Sequence, residues 1–226
     1  MAIDRRAFIG TAAASAATLG FVPAALLGAP IPRDLGAIAR NQSWDMSWVA
    51  RITGRHRVVM DVPEIESGYG VWRSTIWANQ YMQVTGAKPQ DLSTVLVLRH
   101  NGIALAMKQS FWSRYGIGKA KNVTHPVTSQ PTTVNPALLT SEYDGLAPEL
   151  DALALPKFIA RGGIALACSL ALQDCADTIR KQDNVSEDEA HKRAVAELVP
   201  GVVLQPSGVF AAIRAQEAGC QYIRAT

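Results

Sequence analysis

Short, wholly apolar runs, each followed by a stretch with helical spacing, constrain this chain more than any other feature. Arg57-Val58-Val59-Met60-Asp61-Val62 stops at Pro63, and Thr94-Val95-Leu96-Val97-Leu98-Arg99-His100 stops at the turn signal Asn101-Gly102. Ile164-Ala165-Leu166-Ala167-Cys168 has no polar interruption at all. Runs of this length without polar alternation are what a parallel sheet buries on both faces. Between them, residues 71–85 carry helical spacing and are stopped by Gly86 and Pro89, and the apolar stretch from Ile103 into Trp112 reads as helix. Residues 150–161 are helical, with Pro156 as an interruption or a new first turn, and Gly162-Gly163 ends them. A helix over 169–180 follows the third run, and Ser186 and Glu189 have the spacing of a capping box that opens a further helix to about Leu198. Val202-Val203-Leu204 is a short strand, Pro206-Ser207-Gly208 starts a helix through Ala218, and Cys220-Gln221-Tyr222-Ile223 is a terminal strand. The alternation predicts an α/β sandwich with a mostly parallel sheet and helices on both faces.

The first 29 residues read as an address. Asp4-Arg5-Arg6-Ala7-Phe8-Ile9 places two arginines before Phe8, and a charge-free stretch rich in alanine runs on to Ala29. That is the pattern of an export signal with the paired arginines of the twin-arginine (Tat) pathway, which predicts handling by the Tat machinery and a periplasmic destination. The alternative is an uncleaved leader acting as a membrane anchor, which the predominance of Ala and Gly over Leu and Ile disfavours. Leu27-Gly28-Ala29 and Val22-Pro23-Ala24 are both candidate cleavage sites. Loss of residues 1–29 removes Asp4, Arg5 and Arg6 and takes the formal charge from +3 to +2. A near-neutral domain carries no footprint for nucleic acid. Residues 30–54 form a lead-in containing Trp44 and Trp48, and 55–226 form one domain.

From 116 to 148 the composition shifts to Thr, Ser, Pro, Asn and Gly with little periodicity. Such segments serve as lids, binding loops or arms for a protein partner, or are flexible surface insertions. Gly116-Ile117-Gly118-Lys119 lacks the first glycine of a phosphate loop and the hydroxyl residue after lysine, so nucleotide binding is rejected. No pairing of His and Cys has metal-ligand spacing, no G-x-S-x-G elbow is present, and no cofactor is expected.

Taken in order, Gly163-Ile164-Ala165-Leu166-Ala167-Cys168-Ser169, Leu198-Val199-Pro200-Gly201-Val202, Pro206-Ser207-Gly208-Val209 and Gln216-Glu217-Ala218-Gly219-Cys220-Gln221-Tyr222-Ile223 resemble the second half of the DsrE/DsrF-like family. The first half is similar more loosely, through the strand at Val58 and the strand and turn from Leu96 to Gly102. The resemblance covers about 55–223 and implies a flavodoxin-like domain that assembles into homo-oligomers. It also implies, for the sulfur carriers of that family, a persulfide held on a strand-end cysteine, a position matched here by Cys168. The export leader and the 116–148 segment depart from the family pattern.

Residue chemistry points to Cys168 independently. It ends a strand, where open parallel sheets gather ligands, and a helix beginning near Ser169 aims its N–H groups at the thiol. The alternative is a small core side chain. Arg99, His100 and Asn101 follow the preceding strand and could bind an anion there. Cys168 and Cys175 on one helix would lie about 10.5 Å apart, too far for a disulfide. Cys175 with Cys220 remains a candidate pair, with Cys168 as the odd thiol. Two functions follow: a periplasmic sulfur carrier acting through Cys168, or a non-catalytic binding or assembly subunit that uses 116–148 to hold a partner.

Overall fold

The computed structural model describes residues 43–226. The signal residues Arg5, Arg6 and Phe8 lie outside them. Five strands, β1 (His56–Val62), β2 (Leu92–Leu98), β3 (Ile164–Cys168), β4 (Val203–Gln205) and β5 (Gln221–Arg224), form one sheet in the order β4-β3-β2-β1-β5. Every pairing is parallel, in a register that sets Val59 beside Val95, Leu96 beside Ala165, Ala167 beside Leu204 and Met60 beside Ile223. The α/β architecture expected from the apolar runs is therefore the architecture present, a three-layer flavodoxin-like sandwich.

The period-2 geometry of strands divides the core in two. Val58, Met60, Val62, Leu96, Leu98, Ala165 and Ala167 face one way. They meet α1 (Tyr69–Thr85), α2 (Gln109–Tyr115), α3 (Leu155–Ala160), α4 (Ser169–Asp183) and α5 (Glu187–Ala196) in a large cluster. Val59, Val95, Val97, Ile164 and Leu166 face the other way, onto Trp48, Cys220 and the Ala211 and Ala215 stripe of α6 (Gly208–Glu217). One face thus has a thick cover and the other a thin one.

Local chemistry sets the helix ends. α1 stops at Gly86, whose φ of 71° is left-handed and whose N–H bonds the Met82 carbonyl at 2.9 Å. Ser186 caps α5 by accepting from the Glu189 N–H at 3.3 Å, as its spacing predicts. Pro156 sits in the first turn of α3, where its missing N–H costs nothing. The helix expected from Ile103 into Trp112 is α-helical only from Gln109, and the apolar run after β2 forms a 3₁₀ segment, His100–Ala106. Its carbonyls are taken from outside: Asn135 Nδ2 donates to Leu105 at 3.2 Å and Met107 at 2.7 Å, and Trp112 Nε1 donates to Ala104 at 2.7 Å.

Asn135 belongs to the 116–148 segment, read from sequence either as a lid, binding loop or partner arm or as a flexible surface insertion. Asn135, Ala137 and Leu139 are buried, so the middle of the segment is fastened to the core. The short turn closed by the bridge between Thr124 and Pro131 stays exposed, as do residues 119–122. A correction concerns cysteine: all three are free. Cys175 packs in the large cluster and Cys220 in the small one, on opposite sides of the sheet, so the candidate Cys175–Cys220 disulfide has no geometry in which to form. Trp72 is core, and Trp77 packs partly buried against it. No helix among the described residues is long and apolar enough to cross a membrane.

Candidate functional site

The connections after β1, β2 and β3 lead into helices on the thick face, whereas the connection after β4 leads into α6 on the thin face. The carboxyl ends of β3 and β4 therefore diverge, and that divergence opens the crevice in which open α/β sheets bind ligands. A cavity of about 190 Å³ lies there, lined by Arg99, His100, Cys168, Ala171, Asp174, Ser207 and Gly208, with Leu170 and Val209 also in its wall.

Cys168 is both the last residue of β3 and the N-cap of α4, and its Sγ accepts from the Ala171 N–H at 3.4 Å. The Ala171 N–H and the positive end of the α4 dipole are thus aimed at the Cys168 sulfur. The residue is 6% exposed, so the cavity is its route to solvent. A second helix start converges from α6, where Ser207 Oγ accepts from the Phe210 N–H at 3.0 Å. The other two thiols are less suited to chemistry: burial pushes Cys175 up to about 12 and Cys220 up to about 11. Cys175 borders a neighbouring cavity of about 70 Å³, shared with His100 and Asp174.

Arg99 is held by a carboxylate that the sequence reading did not single out. Asp61, on β1, is fully buried and accepts from Arg99 Nε at 2.6 Å, Arg99 Nη2 at 2.7 Å and the Tyr222 hydroxyl at 2.6 Å. Burial works to raise the Asp61 carboxyl, but the bonds from Arg99 and Tyr222 outweigh it and hold the group below its ordinary 3.8. The same bond to Asp61 raises Tyr222 and Arg99. Arg99 then lies across the start of α6 so closely that a Cβ at Gly208 would come within 2.6 Å of its Cβ and Cδ.

The expected site residues do not all gather. Arg99, His100 and Cys168 share the cavity, and Ser169 is buried at the first turn of α4 beside it. Asn101 turns away: its Nδ2 donates to Glu64 Oε2 at 2.9 Å and its Oδ1 accepts from Lys121 Nζ at 2.9 Å. The cause is His100, whose φ of 47° redirects the chain at the strand end. Asp61 was findable, since a lone carboxylate inside an apolar strand must have a buried partner. Tyr222, Ser207 and Asp174 carried no comparable signal.

Among the described residues no three His, Cys, Asp or Glu side chains come together to hold a metal ion. The fold and this cavity define an α/β sandwich with a thiol at the point where its connections change faces. No family model and no curated protein matches the chain.

Proposed function

We propose that this is an exported, DsrE-like sulfur carrier in which Cys168 accepts a sulfane sulfur. The observation that carries the reading is the position of the Cys168 sulfur, capped by the Ala171 N–H inside the cavity at the divergence of β3 and β4. In the transfer, the Cys168 thiolate attacks the outer sulfur of thiosulfate or of a polysulfide. The new S–S bond forms as the donor's own bond to that sulfur breaks. Sulfite, or the shortened polysulfide, leaves with the electron pair, and Cys168 keeps a persulfide anion. The starts of α4 and α6 aim N–H groups at an anionic donor, and Arg99, fixed by Asp61, lines the cavity beside them. Export through Arg5 and Arg6 places this chemistry in the periplasm, and homo-oligomers are the expected assembly.

Intact-mass analysis with peptide mapping, before and after incubation with thiosulfate or polysulfide, tests the carrier role. The wild type gains one sulfur on Cys168, a reductant removes it, and Cys168→Ser gains none. Equal loading of Cys168→Ser, or no loading of the wild type, overturns the reading. Replacing Arg5 and Arg6 together by lysine is expected to leave the protein in the cytoplasm when cells are fractionated. Export unchanged by that replacement removes the Tat assignment.

The second reading, a binding or assembly subunit, draws on the apolar residues Leu170, Val209 and Phe210, which stand exposed around α4 and α6. It predicts that shortening the 124–131 turn costs partner capture while Cys168→Ala changes stability alone.

A further inference from the structure

At the opposite end of the sheet, where the strands begin, two arginines border cavities with no carboxylate bonded to either among the described residues. Arg51 ends the 3₁₀ segment Ser47–Arg51, and its Nη2 donates to the carbonyls of Gly163 at 3.2 Å and Gly162 at 3.4 Å. Arg161 closes α3, and its Nη2 donates to the hydroxyl of Thr75, a buried residue of α1, at 2.9 Å. Asp45 feels the charge of Arg51, yet its carboxylate accepts from the Ser47 N–H at 2.9 Å and forms no ion pair. The ion pairs among the described residues use other arginines, and burial works to lower Arg161 from its ordinary value. A guanidinium has five N–H donors, so each of these retains several for another acceptor.

Two adjoining cavities meet at Arg161. The inner one, of about 160 Å³, has an apolar wall of Ala78, Met82, Pro89, Leu92 and Phe158, with Ser74, Thr75 and Asn79 as its polar side. The outer one, of about 530 Å³, takes in Arg51, Thr53, Gln90, Ser93 and Thr94, and shares Pro89, Leu92, Thr94, Arg161 and Gly162 with the inner. Among the described residues no Asp or Glu lines either. An apolar cavity of roughly 150 Å³ is enough to bind benzene. The inner chamber therefore fits a compact ring, and Arg161 in its wall, with Arg51 in the adjoining outer cavity, fits a charged head attached to that ring.

We propose that this cleft is a second binding site, independent of Cys168, for a small organic anion with a compact apolar body, of the aromatic carboxylate class. The body packs between Leu92, Met82 and Phe158. The carboxylate accepts from Arg161, with Arg51 and the hydroxyl of Thr94 at the outer side. Charge-assisted bonds to a guanidinium discriminate strongly against a neutral head of the same shape.

The test is an amide-resolved NMR titration of the full chain with three probes: benzoate, the neutral isostere benzyl alcohol, and inorganic phosphate. Benzoate is expected to shift Thr75, Gly162 and Gly163 and to bind about tenfold or more tighter than benzyl alcohol, as a hydrogen bond to a charged group allows. Phosphate, which leaves the apolar chamber unfilled, binds more weakly than benzoate. Arg161→Gln loses about tenfold in benzoate affinity and Arg51→Gln about threefold, with amide spectra native away from the cleft. Equal binding of benzoate and benzyl alcohol overturns the anionic head, and phosphate binding as tightly as benzoate overturns the apolar body. Wild-type affinity in Arg161→Gln, no binding of benzoate, or shifts confined to Arg99, His100 and Cys168 overturn the site itself. Sulfur loading of Cys168 is read separately, so failure here leaves the carrier proposal standing, and the reverse holds as well.

Discussion

The two ends of the sheet use arginine in opposite ways. At the carboxyl end, Arg99 is fixed by a fully buried carboxylate and lies within contact of Gly208, so its charge belongs to the fold before it can serve a ligand. At the amino end, Arg161 and Arg51 bond a hydroxyl and backbone carbonyls, and neither is in an ion pair among the described residues. A paired guanidinium contributes to stability and orients a site, whereas an unpaired one beside a cavity contributes affinity. The difference predicts where substitution will hurt folding and where it will hurt binding.

The largest effect is expected from Asp61→Ala. Removing one partner of a buried ion pair costs roughly 3–5 kcal/mol, and the lower bound applies because Arg99 keeps some contact with water. Urea denaturation measures it, and a cost below about 1 kcal/mol would erase the contrast between the ends. The same pair makes a pH prediction. The folded Asp61 titrates below its ordinary value of 3.8, so its stabilisation is complete above that pH and is lost as pH falls through the lower folded value. The stability gap between the wild type and Asp61→Asn should therefore be constant near neutrality and close in acid. A gap that widens in acid would reverse the assignment.

Gly208→Ala comes next. Its new methyl meets Arg99 Cβ and Cδ at 2.6 Å, and relieving that overlap should cost about 1–3 kcal/mol and slow sulfur loading of Cys168 by moving the guanidinium. Loading and stability both at wild-type values would show that Arg99 is not held against α6. The smallest effect on folding is assigned to Arg161→Gln, within about 1 kcal/mol by the same denaturation measurement, because the partner it leaves is the neutral Thr75 hydroxyl, which borders the cleft, and not a buried charge. A large loss of stability there would make Arg161 structural after all.

The sheet was legible because its strands are apolar on both faces and their ends carry Pro63, Asn101-Gly102 and Gly162-Gly163. The capping of α5 was legible for the same reason, since Ser186 acts within its own turn. What escaped the sequence depends on contacts between distant residues. Asn135 draws the 3₁₀ carbonyls of 104–107 into a buried polar network, and no local pattern announces that. Asp61 and Tyr222 meet across 161 residues because β5 returns to lie beside β1. Asn101 looked equivalent to Arg99 and His100 in sequence and was separated from them by one left-handed residue. The cysteines illustrate both sides: the strand-end position of Cys168 was readable, but the opposite faces of Cys175 and Cys220 were not.

The most direct test of the account is native-state alkylation of the full chain with iodoacetamide, followed over time by peptide mapping. Cys168 should be modified first, through the cavity it lines, with Cys175 and Cys220 protected until the protein is unfolded. If Cys168 stays unmodified until unfolding along with the other two, it is a core side chain and the carrier function at the carboxyl end of the sheet is wrong.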